Sequence, residues 1–348
     1  MAIDIFNPEV SQVIKGIPGK LICIYGPNGT GKTSNMTKAP KPFVIAFENG
    51  LGAIGGIANA KIKKWTDFQK VVKQLTDSST IEQAKALYST IIVDTIDGIE
   101  NLADSYIAGC YGVTRVREGN EGYGLWKEYS AEITKQINLL CNSGYTVVFL
   151  AHEGEREFPD PQGEKYTMIY PRGDKRVVNP ILDICDIVAY AQLRPDTAEG
   201  KPTPSTLYLR GNSAFLAKSR FQYIARSIPE WSYEKLETAI VDAITAEEKA
   251  SGVKTTTLAA SMKKEAEKEA EEAKMMIPMN ELVERIGLML QQMNEKNGNL
   301  EEYAAIMLDK LGTKDFKCNK ATEAQREQVE TIYYALLEKG YSYTVVGA

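Results

Sequence analysis

Short runs of consecutive apolar residues recur along the first two thirds of the chain. They are Leu21–Tyr25 (LICIY), Pro42–Phe47 (PFVIAF), Ser89–Asp94 (STIIVD) and Thr146–Ala151 (TVVFLA). Each is four to eight residues long, rich in β-branched side chains and bounded by turn formers, which predicts strands buried on both faces. Ala60–Lys64 suggests a further short strand. Between the runs the period lengthens to that of an amphipathic helix over Asp67–Leu87, Ile99–Ala108 and Leu125–Asn142. Alternating strands and helices predict an α/β fold with a mostly parallel central sheet. Ile181–Leu193 (ILDICDIVAYAQL) reads as another helix-to-strand unit. STLYLR and SAFLAKSRF, joined around Gly211-Asn212, read as a β-hairpin. Pro18-Gly19 turns a short leading segment into the first strand, and Glu153–Gly173, with its prolines and glycines, reads as an irregular loop.

The pattern changes after Trp231. Tyr233–Thr245 closes a core domain spanning residues 1–245. Residues 246–277 carry charge on nearly every side (MKKEAEKEAEEAK), as expected of a solvated helical linker. Over 278–348, Leu282, Ile286, Met289, Leu290 and Met293 form one apolar stripe. Tyr303, Ile306, Met307 and Leu311 form a second, and a capping pair at Thr322 and Gln325 opens a third helix. This predicts a small all-α accessory domain, with methionines filling its core and a protein partner as its expected role.

Composition narrows the class without naming a function. The 348 residues are 43% hydrophobic and 25% charged, ordinary values for a globular chain, and suggest about two domains. No apolar run is long enough to span a bilayer, and the N-terminus lacks the layout of a signal peptide. The five cysteines are scattered with no C-x-x-C pair, which points to free thiols. A cytoplasmic setting, without membrane attachment, is the expectation. The net charge of −5 resides in the C-terminal third, so only local patches bear on nucleic acid.

The chemistry begins at Gly26-Pro27-Asn28-Gly29-Thr30-Gly31-Lys32-Thr33, which fits the G-x-x-x-x-G-K-[ST] phosphate-binding pattern. Glycines let successive backbone N–H groups turn towards phosphate oxygens, and the following helix adds its positive end. Lys32 reaches the β- and γ-phosphates, while the Thr33 hydroxyl can ligate Mg²⁺. A strand before and a helix after distinguish this from a chance glycine-rich turn, so the expected cofactors are ATP and Mg²⁺. Asp94 ends a buried strand about sixty residues later, where one carboxylate would complete the metal shell; Asp97 is the weaker substitute. Glu48 and His152, the chain's single histidine, also sit at strand C-termini, where α/β sheets place ligand chemistry. For His152 that position suggests a polar sensor of the γ-phosphate. Lys165, Tyr166, Tyr170 and Arg172, with Lys175 and Arg176 just beyond, interleave cations with aromatics and suit single-stranded nucleic acid. Lys218 and Arg220, two apart on a strand, share a face and suggest an anion contact.

The order of these features, with the phrases GPNGTGKT, KPFVIAFENG, TIIVDTID, VVFLAHE and FLAKSRF, resembles the RecA-like P-loop ATPase core. More narrowly it resembles the phage-type, AAA-annotated ATPases of single-strand DNA recombination, over about residues 19–230. The resemblance implies catalytic roles for Lys32, Glu48, Asp94, His152, Lys218 and Arg220. Glu48 would activate water, and His152 would stand where a glutamine is commoner. Glu153–Gly173, and Gly109–Gly124 with Arg115 and Arg117, would be DNA-binding loops. Lys218 and Arg220 would form a finger inserted into a neighbouring subunit's site. It implies DNA-dependent ATP hydrolysis in phage recombination or replication, with single-stranded DNA and a homo-oligomeric ring or filament as partners. A ring-shaped helicase or motor component is the alternative, and a P-loop small-molecule kinase a more distant one.

Overall fold

The computed structural model describes residues 10–341 apart from 11, 161, 194–204, 253, 259, 262, 265–276 and 298–299. The chain divides into two compact units, one within Asp4–Met262 and one within Lys263–Ala348.

The first unit opens with β1 (Val13–Ile14), β2 (Leu21–Tyr25) and the five-residue helix α1 (Lys32–Met36). Next come β3 (Pro42–Ala46), β4 (Ala58–Lys61), α2 (Trp65–Thr76), α3 (Ile81–Leu87) and β5 (Thr90–Asp94). The middle of the unit holds α4 (Ile99–Cys110), α5 (Trp126–Cys141) and β6 (Thr146–Ala151). β7 (Glu153–Pro159), β8 (Lys165–Pro171), α6 (Lys175–Ile184) and β9 (Ile187–Leu193) follow. It ends with β10 (Ser205–Tyr208), β11 (Lys218–Ser219), β12 (Ser227–Pro229), α7 (Tyr233–Ser251) and β13 (Thr255–Thr256).

Among the described residues, nine strands form one sheet in the order β12-β10-β9-β2-β6-β5-β3-β4, with β11 also on β9. The strands from β9 to β4 are parallel, and β10, β11 and β12 add an antiparallel edge. Alternation along each strand feeds two cores. Cys23, Tyr25, Ile91, Val93, Val147 and Phe149 point to the face covered by α2, α4, α5 and α6. Ile22, Ile24, Ile92, Val148 and Leu150 point to the face covered by α1 and α7. Burial on both faces is why these strands read as continuous apolar runs.

Several expectations are corrected. Asp67–Leu87 is two helices, α2 and α3, because the Asp77 side chain accepts from the Ser79 amide and hydroxyl in a turn between them. Glu153–Gly173 is an ordered hairpin, β7 paired with β8 over seven registered pairs. Pro159 and Pro171 sit at strand ends, where no ladder bond is lost. The Asp160 side chain builds the tip by accepting from the Gln162 and Glu164 amides. STLYLR and SAFLAKSRF do not pair with each other. β10 and β11 both run antiparallel to β9, and residues between them loop out in a turn closed by Gly211 N to Ala217 O (2.8 Å). That turn grips the hairpin: Ile169 donates to the Ala214 carbonyl, and Leu216 donates back to the Ile169 carbonyl. Finally, α7 runs through position 245 to Ser251, and β13 pairs with β1, so residues up to 256 pack with the first unit. The most charged stretch of the expected linker, 265–276, lies outside the described residues.

The second unit contains α8 (Met279–Asn297), α9 (Glu301–Leu311) and α10 (Arg326–Glu338). Leu282, Ile286, Met289 and Met293 meet Ile306, Met307, Val329, Ile332 and Leu336 in a core of its own. The methionines are core filling.

The Tyr25 hydroxyl ties the phosphate-loop strand to the hairpin clamp, lying 2.6 Å from the Leu216 carbonyl and 3.1 Å from that of Ile169. Tyr25→Phe should leave a buried carbonyl without its donor and lower unfolding free energy by about 1–3 kcal/mol in denaturant titration, with the fold retained. An unchanged midpoint would show that the clamp does not depend on this bond.

Candidate nucleotide-binding site

Parallel register brings the strand ends level. Tyr25 lies beside Ala151, Leu150 beside Asp94, and Asp94 beside Ala46. The chain therefore leaves β2, β3, β5 and β6 at one edge of the sheet, and the next residues form one cleft of about 310 Å³. Its walls include Asn28, Gly29, Lys32, Thr33, Glu48, Asp94, Thr95 and His152. The loop residues, both metal-ligand candidates, Glu48 and His152 thus converge.

Gly26 is required where it stands. Its φ is 151°, and a Cβ there would lie 2.1 Å from the Ala191 carbonyl oxygen of the neighbouring strand β9. The back of the loop is pinned through the Thr30 carbonyl, which accepts from Ser205 Oγ (2.9 Å) and Trp231 Nε1 (3.1 Å). Trp231 in turn receives the Asn35 side-chain amide on its carbonyl. The sequence carries no signal for this pinning, since both residues lie about two hundred positions away. With only five residues, α1 adds a modest dipole, so loop N–H groups and Lys32 carry most of the positive potential.

Lys32 is buried, with Nζ at 2.8 Å from the Gly26 carbonyl and 2.9 Å from that of Pro27. Burial lowers its pKa, partly offset by the carboxylates Asp94, Asp97, Glu153 and Glu48. Thr33 Oγ1 donates to Asp94 Oδ2 at 2.9 Å. Burial raises the Asp94 pKa against the Thr33 bond, and the Glu48 charge raises it further. A hydroxyl and a carboxylate this close are a hard-oxygen pair suited to Mg²⁺, which keeps most of its waters and takes one or two protein ligands. The residues present therefore fit a magnesium-bound nucleotide.

Two further carboxylates, Glu48 and Asp97, stand beside Thr95 and His152. Glu48 Oε1 accepts from Thr95 Oγ1 at 2.7 Å. Asp97 Oδ2 lies 2.6 Å from Nδ1 of His152, which is 3.7 Å from Glu48 Oε1. Burial pushes the Asp97 carboxyl up, but bonds with His152 and Thr95 outweigh this and hold it below its ordinary value. Among the described residues, Glu48, Asp97 and His152 also have one donor atom each within 4.8 Å of one another. Thr95 and the Asp97–His152 pair are features that a search for a single carboxylate does not find; Asp97 lies three positions after Asp94, and that spacing is the available signal.

A profile of the AAA domain family matches residues 19–221. The chain belongs to the AAA domain family. It is 41% identical over 329 residues to the SPbeta prophage-derived uncharacterized protein YorG of Bacillus subtilis (strain 168), covering 94% of this chain and 95% of that protein. The AAA domain here is thus of phage type and nucleotide-binding, and the cleft is where its loop and acidic residues meet. No helix among the described residues is long and apolar enough to cross a membrane.

Other expected residues stand apart from this AAA cleft. Lys218 lies beside Val188 and Arg220 beside Asp186, at the opposite end of the strands. Arg220 is engaged in its own chain, with Asp186 Oδ1 at 3.3 Å and the Asp183 carbonyl at 3.0 Å. The anion expected near that pair is in part Asp186. Lys165 pairs with Glu157, Arg172 Nε donates to the Glu153 carbonyl, and Arg176 pairs with Asp174 and stacks on Trp126 at 4.1 Å. Tyr170 is half-buried beneath Arg156, while Tyr166 and Lys175 are exposed. Arg115 pairs with Asp104, and with Arg117 it lines a small cavity together with Glu100 and Asp174.

Gly26→Ala should force the loop away from Ala191 and abolish binding of a fluorescent ATP analogue, with a loss of about 2 kcal/mol or more of stability. Retained affinity would show that the loop relaxes around the added methyl.

Proposed function

We propose that this protein is a magnesium-dependent ATPase whose turnover is coupled to single-stranded DNA, acting as a homo-oligomer in phage recombination or replication. One observation carries the reading: His152 lines the nucleotide cleft, and the next residue, Glu153, begins the β7–β8 hairpin. Nucleotide state at the cleft and the position of the hairpin therefore share one stretch of backbone. The prophage-derived relative supports the phage context.

In this reading the loop N–H groups and Lys32 bind the triphosphate, and Thr33 and Asp94 would hold Mg²⁺. That ion, when bound, supplies charge neutralisation between β- and γ-phosphates. Glu48, exposed at its tip and steadied by Thr95, orients and deprotonates the attacking water. His152 contacts the γ-phosphate side of the cleft. The hairpin offers Lys165, Tyr166 and Arg172 to the strand; the Lys165–Glu157 pair is well exposed on both sides, and such surface pairs yield readily to a phosphate. Because Lys218 and Arg220 lie far from their own cleft, a finger role requires a second copy and release of Arg220 from Asp186.

ATP turnover should rise on addition of single-stranded DNA, and Lys32→Ala should lower it by about a hundredfold or more. Phosphate release indifferent to DNA, or transfer only to an added small-molecule acceptor, would overturn the reading. Lys218→Ala and Arg220→Ala should each reduce stimulated turnover only under conditions of assembly, as monitored by light scattering; unchanged turnover in the assembled state would remove the finger.

A further inference from the structure

Asp97 lies on the short turn Ile96–Gly98 that follows β5 and contacts the first foot of the hairpin. At the first foot its carboxylate meets His152 twice, Oδ2 at 2.6 Å from ring Nδ1 and Oδ1 at 3.5 Å from the backbone nitrogen. Both side chains are largely enclosed, at 14% and 11% exposure. At the second foot, Arg172 N donates to the His152 carbonyl at 2.9 Å. An added Cβ on Gly173 would lie 3.9 Å from the Asp97 Cα.

A short contact between a carboxylate and a ring nitrogen is a charge-assisted hydrogen bond, and it determines which nitrogen carries the proton. Glu48 competes for the same nitrogen but stands at 3.7 Å and is taken by the Thr95 hydroxyl. Asp94 faces Thr33 instead. The neighbouring charges of the cleft, Lys32 and Glu153, contact neither ring nitrogen within hydrogen-bond distance among the described contacts.

We propose that Asp97 is a positioning residue that acts through His152: by holding Nδ1 it turns the Nε2 edge of the ring towards the nucleotide, where a ring carrying both protons can donate to a phosphate oxygen, and by gripping the first foot of the hairpin it links the ring's placement to that of the DNA-facing strands. The functional half rests on the ATPase reading above; the hold on the ring does not.

The chain has one histidine, so its ring nitrogens give a single set of ¹⁵N signals in the intact protein. In alkaline solution, where an imidazole is neutral, the wild-type ring should carry its proton on Nδ1. Asp97→Ala should move it to Nε2, and Asp97→Asn, whose side-chain amide can donate to Nδ1, should move it to Nε2 as well. Asp97→Ser, too short to reach the ring, gives the same reading as alanine should alanine prevent folding. An unchanged tautomer in the alanine or serine variant overturns the proposal. In turnover, Asp97→Ala should lower the DNA-stimulated rate about tenfold, but by no more than about twofold in a His152→Gln background. Equal losses in both backgrounds would place the action of Asp97 elsewhere. If the wild type turns over no ATP, the ATPase reading fails, while the tautomer still decides whether Asp97 holds the ring.

Discussion

The structure depends on parallel register between strands buried on both faces. Because Cys23, Tyr25, Val147 and Phe149 fill one core while Ile22, Ile24, Val148 and Leu150 fill the other, a slip of one residue would exchange the two sets. Aliphatic and aromatic volumes differ between the layers, so the exchange would be costly in packing. The same register aligns Tyr25, Ala151, Asp94 and Ala46 at one edge. Hydrophobic burial thereby fixes, to within a fraction of a residue, where the phosphate loop and its acidic partners emerge. The close approach of Ala191 to Gly26 belongs to the same constraint, since β9 can pair with β2 only where the loop's first residue lacks a side chain.

Glu48 and Asp94 line one cleft, and Asp97 stands beside its His152 wall, an arrangement that like-charge repulsion would ordinarily disfavour. Asp94 accepts from Thr33, Glu48 accepts from Thr95, and Asp97 has His152 as its closest partner with Thr95 beside it. The opposite shifts of Asp94 and Asp97 follow from this division. Asp94 has one neutral hydroxyl and a neighbouring charge, so burial prevails; Asp97 has a ring N–H and a hydroxyl, so hydrogen bonding prevails. A carboxyl raised at Asp94 beside one lowered at Asp97 suits separate tasks of metal ligation and side-chain positioning.

The parts of this design legible in the sequence are those in which a local pattern reports a local environment. Apolar runs revealed the strands, and the run ends pointed to Glu48, Asp94 and His152. The glycine-lysine pattern revealed the loop. What was not legible depended on tertiary partners. The hairpin was obscured because Pro159, Pro171 and an acidic tip resemble a loop, although Arg156, Phe158, Tyr166 and Tyr170 alternate with the period of a strand. β10 and β11 seemed a hairpin because a Gly-Asn turn lay between them. Their actual partner, β9, offers a longer buried edge, and the turn found a different use as a clamp on Ile169. Trp231 and Ser205 could not be connected with Thr30 by any spacing rule.

The hairpin's attachments decide what it can transmit. Its feet are held at His152 and Arg172, while β8 is held again at Ile169 by the 211–217 turn and by proximity to the Tyr25 hydroxyl. Ile169 therefore lies between the feet and the tip, about 10 Å from Arg172 and about 14 Å from Lys165 along the strand at 3.4 Å per residue. A shift at the cleft end would reach the tip turned about this clamp and only slightly enlarged. If turnover is coupled to DNA as proposed, that geometry favours small rotations that alter which hairpin side chains face the strand, rather than large excursions. Arg156 stacked on Tyr170 at 4.0 Å and bonded to Asn179 of α6 would oppose larger movement. The clamp itself is contributed by the segment leading into Lys218 and Arg220. If a neighbouring copy engages those cations, its contact would bear on the same fulcrum that the nucleotide acts through from the other side, so assembly and nucleotide state would converge on one strand.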